Sequence, residues 1–258
     1  AWMYTSNYKY PATTLTDSIA NDLFFVPEVI GVKIALGDHR SSFPTTQQVL
    51  AVLAEVRVGA MIAGKTGFLH IHTGNIPGAF EMYDEILAKG FPIKHIRPTH
   101  CGRIRHVFAV EFGKKGGWID ITTGASCCFD HPAQAVIEAV GMGVDPTHIT
   151  LSTDGHGSVP RFNEKGEMVG LGVGGVDGNL KETLRLISDY KMPIEQALLF
   201  TTKNVGDALG LKDQGRVEVG ACANACLFTE DFKLTHVVAR GRVMMRDGEV
   251  VVKGMFEI

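Results

Sequence analysis

The sequence predicts an α/β fold built on parallel strands, and three observations support this prediction. Short apolar runs that end in glycine or polar residues recur along most of the 258 residues. Segments with apolar residues at three- and four-residue spacing lie between these runs, as in amphipathic helices. The composition, with 45% hydrophobic and 21% charged residues, is that of a globular domain large enough to bury a sizeable core. Alternating strands and helices of this kind form repeated βα units around a parallel sheet.

Six segments are predicted as strands because they are short, apolar and bounded by turn residues. They are residues 1–5, 29–36, 68–73, 95–100, 118–122 and 149–153. Helices are predicted over 46–63, 77–89, 104–114 and 132–141, then around Leu180, Leu184 and Ile187, and over 193–209. An open, doubly wound sheet of six strands would be complete, whereas a closed barrel normally has eight. The number of strands alone leaves both architectures open.

The C-terminal part of the chain has a different pattern. From Arg216 onward the apolar residues, most of them valines, alternate with a period of two, which is typical of strands. Asp247-Gly248 between two such runs predicts a tight hairpin. We therefore predict two units, a large one over residues 1–212 and a small β module over 213–258.

Composition also limits the partners and the compartment. A net charge of -3 provides no basic excess for a nucleic acid backbone. No apolar run approaches the roughly 18 to 20 residues that cross a bilayer, and the N-terminus has no signal-peptide pattern. Five cysteines, an odd number, favour a reducing environment over a disulfide framework. We expect a cytoplasmic protein with neither a nucleic acid nor a membrane as partner.

Four of the predicted parallel strands end in, or carry, a side chain suited to a metal site. Lys33 lies in an otherwise apolar strand, His72 and His100 close the third and fourth strands, and Asp154 follows the sixth. Each has an ordinary explanation by itself: a salt-bridged lysine, packed histidines and a turn-forming aspartate. Carboxyl ends of parallel strands meet at one face of a barrel, where such enzymes carry their catalytic groups. The combination therefore predicts a shared site.

These residues and their neighbours resemble the amidohydrolase superfamily and, within it, the isoaspartyl (β-aspartyl) dipeptidases. The resemblance extends along essentially the whole chain. It is carried by Trp2-Met3 leading to Tyr8, Val29 to Lys33, Asp38 to Ser41, Glu55 to Gly59, Pro98 to His100, Ile119 to Thr122, Leu151 to Ser158, and Ala239 to Gly241. It implies a TIM-like (β/α)8 barrel that lacks its first two strands, plus part of a small C-terminal β-sandwich.

The resemblance also implies a mechanism. Lys33 would be carbamylated by CO2 and bridge two divalent metals, with zinc, cobalt and manganese all suited to the ligand set. His72 and His100 would hold the second metal, and Asp154 would be both a ligand and the proton shuttle. A metal-bridging hydroxide would then hydrolyse the dipeptide, as in a metalloprotease.

The same resemblance implies a substrate-binding set and an assembly. Arg40 and Arg103 would bind substrate carboxylates, Tyr8 would polarise the scissile carbonyl, and Ser158 would contact the aspartyl end. Guanidinium groups match carboxylates bidentately, which suits a dipeptide with two carboxylates. A small dipeptide substrate and a homo-oligomer follow from the resemblance as expected partners.

The sequence departs from the family pattern in places. The paired His-x-His of the first barrel strand is missing, because His70-Ile71-His72 comes after Lys33 rather than before it. We expect His70 to have a packing or supporting role. His156 stands where the family tends to have asparagine. The chain also begins with Ala1, already inside a predicted strand, so we expect an N-terminally truncated fragment that is inactive by itself.

Two other functions remain as alternatives. One is a different amidohydrolase activity, of the dihydroorotase, hydantoinase or N-acyl amino acid deacylase type. The other is an inactive remnant that serves only in assembly. Gly170, Gly172 and Gly175 satisfy a Gly-x-Gly-x-x-Gly spacing, but no convincing strand precedes them, and we expect a mobile loop over the mouth of the site rather than a nucleotide-binding turn.

Overall fold

The computed structural model describes residues 1–38, 40–103, 106–124 and 127–254 of the chain. The six predicted parallel strands are present, each with bounds within two residues of the prediction. They are β1 (Met3–Thr5), β2 (Val29–Ala35), β3 (Leu69–His72), β4 (Ile96–Thr99), β5 (Ile119–Thr122) and β6 (Ile149–Ser152). The prediction of an α/β fold is confirmed.

Eight α-helices occur in the described residues, and most follow the predicted strands as crossover connections. They are α1 (Ile19–Phe25), α2 (Thr46–Ala63), α3 (Ala79–Ala88), α4 (His106–Lys114), α5 (Pro132–Gly141), α6 (Gly178–Ser188), α7 (Ile194–Leu199) and α8 (Lys203–Leu209). The prediction missed α1, because seven residues are too few to establish a helical period. It begins at Ser18, whose side chain accepts a hydrogen bond from the Asn21 backbone N–H.

The single helix predicted over 193–209 is wrong, because the structure divides it into α7 and α8. The Phe200 carbonyl, instead of continuing the helix, accepts a hydrogen bond from Leu151 N at 2.9 Å. Thr202 has φ -122° and ψ -95°, which are not helical values. A tertiary bond to β6 therefore interrupts a segment whose sequence favours one continuous helix.

The order of the strands decides between the two architectures that the sequence left open. β1, β2, β3 and β4 lie side by side in chain order and in parallel, and β5 pairs with β6 in the same way. Cys101 N donates to Asp120 O at 2.9 Å, which places the end of β4 beside β5. A doubly wound sheet would reverse its strand order, whereas sequential order is that of a (β/α)8 barrel. The strands form an arc of such a barrel, and a partial barrel is confirmed.

The hydrophobic core lies between this arc and the surrounding helices. Val32 and Ile34 of β2 and Val56 of α2 are fully buried, and Val52 of α2 is only 4% exposed. Helix α2 begins with a capping box in which Thr45 and Gln48 bond each other's backbone N–H groups. It is therefore a core-packing helix with a well-defined start.

Helix α2 is also the one described helix that is long and apolar enough to cross a membrane, judged by length and composition alone. The core helix of a soluble protein passes the same test. Its buried stripe faces the sheet, whereas Glu55 and Arg57 lie on the exposed side. This helix is weak evidence for a membrane span.

Two antiparallel structures complete the fold. Where a mobile loop was expected, β7 (Ser158–Phe162) and β8 (Met168–Val173) form a hairpin whose turn includes Gly166. The Gly-x-Gly-x-x-Gly spacing falls on β8 and beyond it, so no βα nucleotide-binding turn is formed.

The C-terminal strands form one sheet in the order β12, β11, β10, β9. They are β9 (Ala225–Phe228), β10 (Leu234–Ala239), β11 (Arg242–Arg246) and β12 (Glu249–Val250). Asp247 and Gly248 have φ of 51° and 84° and close the predicted hairpin between β11 and β12. The β module is thus present, and its boundary at residues 212 and 213 stays a prediction.

Candidate active site

Three of the four predicted ligand residues lie at the carboxyl ends of their strands, and the fourth, Lys33, lies two residues before the end of its strand. Lys33 is within β2, His72 is the last residue of β3, and His100 and Asp154 follow β4 and β6. His100 has φ 62° and Asp154 has φ 50°, a left-handed conformation that is uncommon outside glycine. Such backbone strain often occurs at functional sites, where it aims a side chain.

The two histidines are in direct contact. Their ring centroids are 4.6 Å apart in a T-shaped arrangement, and the residues are only 5% and 7% exposed. His100 Nδ1 lies 2.7 Å from Thr122 Oγ1. Burial lowers the pKa of His72 to about 4 and lowers that of His100 further below its usual range, aided by nearby cationic groups. Both rings are therefore neutral at pH 7, which is the form that binds metals.

Lys33 lies on the neighbouring strand β2, in register with His70 rather than with His72. Its Nζ is 5.8 Å from the centroid of the Tyr8 ring. Burial lowers the pKa of Lys33 to about 8, against the opposing effect of Asp154 and Asp120. The amine is therefore easier to deprotonate than an ordinary lysine.

Arg40 joins several residues at the mouth of the site. Its Nε and Nη2 donate to the two Asp38 carboxylate oxygens at 2.7 and 3.0 Å, and Nη1 donates to Ser158 Oγ at 3.0 Å. The guanidinium also lies 4.2 Å from the centroid of the Tyr8 ring. The bonds from Arg40 hold the pKa of Asp38 well below its usual range. Tyr8, Arg40 and Ser158, three predicted substrate-binding residues, are thus brought together.

Arg103 and Asp154 lie close enough to Tyr8 to affect its pKa electrostatically. Burial lowers the pKa of Arg103, and the negative charges of Asp154 and Asp38 oppose that effect. The Asp154 carbonyl accepts a hydrogen bond from Gly157 N at 3.0 Å in a tight turn. His156 N donates to Gly174 O at 3.0 Å, which ties the β7–β8 hairpin to the same turn.

The fit of this site to metal ions can be judged from its polar atoms. His72 Nδ1 and His100 Nε2 are buried and have no hydrogen-bond partner among the described residues. A metal ion would satisfy such nitrogens. Across residues 1–38, 40–103, 106–124 and 127–254, no three His, Cys, Asp or Glu side chains are grouped closely enough to hold an ion by themselves. The histidine pair fits a metal, whereas the predicted ligand Asp154 does not lie close enough to the pair to complete a group of three ligands.

Sequence reasoning did not assign roles to three residues that the structure places at the site. Asp38 holds Arg40, and its Oδ2 is 3.5 Å from His72 Nε2. Thr122 contacts His100, as described above. Asp120 accepts hydrogen bonds from Thr99, Thr150 and Ser152 in the barrel interior. The signal for Asp120 and Thr122 was present, since residues two apart on β5 point to the same face.

His70, for which we expected a packing or supporting role, stacks on Tyr4 with ring centroids 5.0 Å apart. Burial lowers the pKa of His70 well below its usual value, so the ring is neutral. Its environment agrees with that prediction.

Comparison with known proteins identifies the family. The model of the amidohydrolase family matches residues 69–244, well over half of the chain. Together with the barrel strands and the polar residues at their carboxyl ends, this match defines the class of protein. The chain belongs to the amidohydrolase family.

Two solved structures of a beta-aspartyl dipeptidase from Fervidobacterium islandicum AW-1 are similar to this chain. One, in complex with beta-Asp-Leu dipeptide, is 34% identical, with a TM-score of 0.90 over 98% of this chain and 67% of that chain. The other is 31% identical, with a TM-score of 0.86 over 98% and 66%. The chain thus spans about two thirds of the length of these proteins.

More distant structures share the fold alone. N-acetylglucosamine-6-phosphate deacetylase from Pasteurella multocida is 14% identical, with a TM-score of 0.56 over 85% of this chain and 57% of that chain. The resemblance to the dipeptidases, which the sequence motifs predicted, is confirmed at the level of sequence and fold.

Proposed function

We propose that the protein hydrolyses β-aspartyl (isoaspartyl) dipeptides in a metal-dependent reaction. The observation that carries this proposal is the cluster of Arg40, Tyr8 and Ser158 beside the His72–His100 pair, because it combines an anion-binding group with nitrogens suited to a metal. The relatives of similar sequence are named as beta-aspartyl dipeptidases. A β-aspartyl dipeptide has two carboxylates, which two arginines can bind.

Two divalent metals, zinc by preference, would be held by His72, His100, Asp154 and Lys33 in its carbamylated form. A carbamate would turn the ammonium of Lys33 into an anionic oxygen ligand, which removes the cost of a buried cation. When bound, the metals would polarise the scissile carbonyl and activate water as hydroxide.

The protein's own groups would divide the remaining work. Asp154 would accept the proton of the attacking water and deliver it to the leaving amine. Arg40 and Arg103 would bind the substrate carboxylates, Ser158 would contact the aspartyl end, and Tyr8 would donate a hydrogen bond to the reacting carbonyl. Burial raises the pKa of Tyr8 despite the nearby charge of Arg40, so its hydroxyl keeps the proton it would donate.

The setting of the protein is proposed on the basis of composition and resemblance. We propose a cytoplasmic enzyme that forms homo-oligomers. The 258 residues include no His-x-His before Lys33. For this reason we propose that these 258 residues, expressed alone, do not hydrolyse β-aspartyl dipeptides, and that the activity belongs to the complete gene product.

Kinetics with the complete gene product test the function. We expect turnover of β-Asp-Leu and none of α-Asp-Leu. We also expect activity to be lost in a chelator and to recover when zinc is added.

The two arginine variants test the substrate-binding assignment. Arg40→Met and Arg103→Met should each raise KM for β-Asp-Leu about tenfold or more, because each removes a charge-assisted hydrogen bond. Arg246→Met, which removes an exposed arginine of β11, serves as the matched control. An unchanged KM in both site variants would contradict the substrate assignment, and turnover of a dihydropyrimidine or N-acyl amino acid instead would favour another amidohydrolase activity.

A further inference from the structure

Arg103, one of the two arginines proposed to bind substrate carboxylates, lacks the side-chain support that Arg40 has. Both carboxylate oxygens of Asp38 accept hydrogen bonds from Arg40. Nε of Arg103, in contrast, is buried and has no hydrogen-bond partner among the described residues. The position of Arg103 therefore depends more on the backbone that carries it, residues 100–103 between β4 and α4.

His106, the first residue of α4, contacts this backbone twice. Its N–H donates to Arg103 O at 2.8 Å, and its ring Nδ1 lies 2.9 Å from Cys101 O. Because a carbonyl oxygen can only accept, Nδ1 carries the proton and donates it. The residue is only 4% exposed, and its ring packs edge-on against Phe129, with ring centroids 5.0 Å apart. One buried side chain thus connects the start of α4 to the segment that carries Arg103.

The two nitrogens of the His106 ring have different surroundings. Nδ1 donates to Cys101 O, whereas Nε2 is buried and has no partner in the described part of the chain. An unpaired buried nitrogen destabilises the fold, and an apolar side chain could pack against Phe129 without that cost. The feature that a histidine adds here is the hydrogen bond to the backbone two residues before Arg103.

The next carbonyl along the chain is held from another direction, by the loop between β5 and α5. Gly102 O accepts hydrogen bonds from Cys128 N at 2.9 Å and from the Cys127 thiol at 3.0 Å. β4 pairs with β3, and β5 pairs with β6, so these contacts lie between two strands inside the arc and not at its edges. With Gly102 O held in this way, the bond from the His106 ring fixes the preceding carbonyl, that of Cys101.

We propose that His106 is a positioning residue for Arg103, and that its hydrogen bond to Cys101 O fixes the backbone from which the arginine reaches the substrate carboxylate. This role rests on the proposed function, since it concerns binding of the β-aspartyl dipeptide. Without the bond, the peptide after Cys101 can rotate and displace the Arg103 guanidinium. A displacement of about 1 Å is enough to weaken a charge-assisted hydrogen bond strongly.

Two substitutions in the complete gene product separate the hydrogen bond from the packing of the ring. His106→Asn keeps an N–H donor near the place of Nδ1, whereas His106→Leu keeps apolar bulk without a donor. We expect His106→Leu to raise KM for β-Asp-Leu about tenfold with a smaller change in kcat, and His106→Asn to remain within about threefold of the wild type. His236→Leu, which replaces a histidine of β10, is the matched control and should leave KM unchanged. An equal rise in KM in the Asn and Leu variants, or no rise in either, would overturn the proposal.

A double variant shows whether His106 acts through Arg103. In an Arg103→Met background, His106→Leu should raise KM little further, because the side chain that it positions is absent. A full additional rise of about tenfold in the double variant would refute a role through Arg103.

Amide hydrogen exchange separates a failure of the positioning from a failure of the proposed function, because it needs no turnover. The Arg103 amide, which donates to His100 O at 3.2 Å, should exchange about tenfold faster in His106→Leu than in the wild type, and at a near wild-type rate in His106→Asn. That pattern in a protein without β-Asp-Leu turnover would support the positioning and contradict the proposed substrate. Wild-type exchange in a folded His106→Leu would overturn the positioning. If His106→Leu does not fold, His106→Met, whose flexible side chain fills irregular space, takes its place under the same criteria.

Discussion

The Arg40 guanidinium donates hydrogen bonds to both carboxylate oxygens of Asp38, through Nε at 2.7 Å and Nη2 at 3.0 Å. This pairing fixes the plane of the guanidinium, since a two-point contact permits little rotation. The third nitrogen, Nη1, remains directed at Ser158. Asp38 is therefore a positioning residue for the arginine to which we assign a substrate carboxylate.

Replacing Asp38 tests this relationship. Asp38→Asn keeps the shape of the side chain but removes its charge and one acceptor, so we expect KM for β-Asp-Leu to rise about tenfold with a smaller change in kcat. The pKa of Asp38 is held well below its usual range, so its carboxylate stays ionised and the effect should be constant between about pH 6 and 9. Asp84→Asn, at an exposed ion pair with Lys115, is the control. An equal fall in kcat and kcat/KM, with KM unchanged, would argue against a positioning role.

Thr122 should control the metal affinity of His100. For Nε2 of His100 to offer its lone pair, Nδ1 must carry the proton and donate it to Thr122 Oγ1. Thr122→Val removes this acceptor at similar volume, and we expect zinc affinity to fall about tenfold or more in a competition titration with a chelating dye. Thr147→Val changes an exposed threonine and should leave the affinity unchanged. A wild-type affinity in Thr122→Val would show that the contact does not orient the ring.

Carbamylation of Lys33 can be observed directly. The neutral amine attacks CO2 to form a carbamate and release one proton, and a pKa of about 8 makes the neutral amine more available. After exchange with ¹³C-bicarbonate and zinc, the complete gene product should show one carbamate carbon resonance by NMR. The Lys33→Met variant should show no such resonance and should bind one metal ion instead of two. Lys65→Met should retain the resonance, because the Lys65 ammonium is held by the carbonyls of Val26 and Val29 at 2.8 and 2.6 Å. A signal that persists in Lys33→Met would assign the carbamate elsewhere.

Asp22 should matter for stability rather than for chemistry. Its buried carboxylate accepts hydrogen bonds from Leu15 N and Thr16 N, both at 2.8 Å, and from the side chains of Thr5 and Thr16. Asp22→Ala leaves these donors unsatisfied, and we expect a loss of about 2 to 4 kcal/mol in the free energy of unfolding. Asp17→Ala, at an exposed side chain, should change it by less than about 1 kcal/mol.

The same residue gives a pH dependence with a definite sign. Burial raises the pKa of Asp22, but the hydrogen bonds from Thr5, Leu15 and Thr16 outweigh it and lower the pKa below its usual value. Its stabilisation is therefore complete above about pH 4 and decreases as the pH falls through the lowered value. Chemical denaturation at pH 7 and pH 3 measures this, and the difference between wild type and Asp22→Ala should shrink at the lower pH. A difference that grows in acid would contradict the assignment.

The last prediction concerns the 258 residues expressed by themselves. They supply a histidine pair for one metal but no His-x-His before Lys33, so we expect weak binding of at most one zinc and no hydrolysis of β-Asp-Leu. Metal analysis and a dipeptide assay check both statements. Substantial turnover by these residues alone would refute the prediction.

The sequence alone determined the six parallel strands and the family. The strands that carry Lys33 and His72, and those that precede His100 and Asp154, were predicted with bounds close to those observed. Short apolar runs between amphipathic helices have few other structural solutions. Motifs of the amidohydrolase family lie within those runs, so family and strand positions were predicted together.

The tertiary structure decided what depends on contacts between distant segments. The sequential strand order, which favours a barrel over a doubly wound sheet, follows from pairing that no local pattern encodes. The break before Thr202 arises from a hydrogen bond between Phe200 and Leu151 of β6. The partners of Asp38 and Thr122 likewise come from contacts that the tertiary structure decides. Local sequence carries periodicity and propensity, whereas the environment of a buried polar group depends on which distant strands and helices surround it.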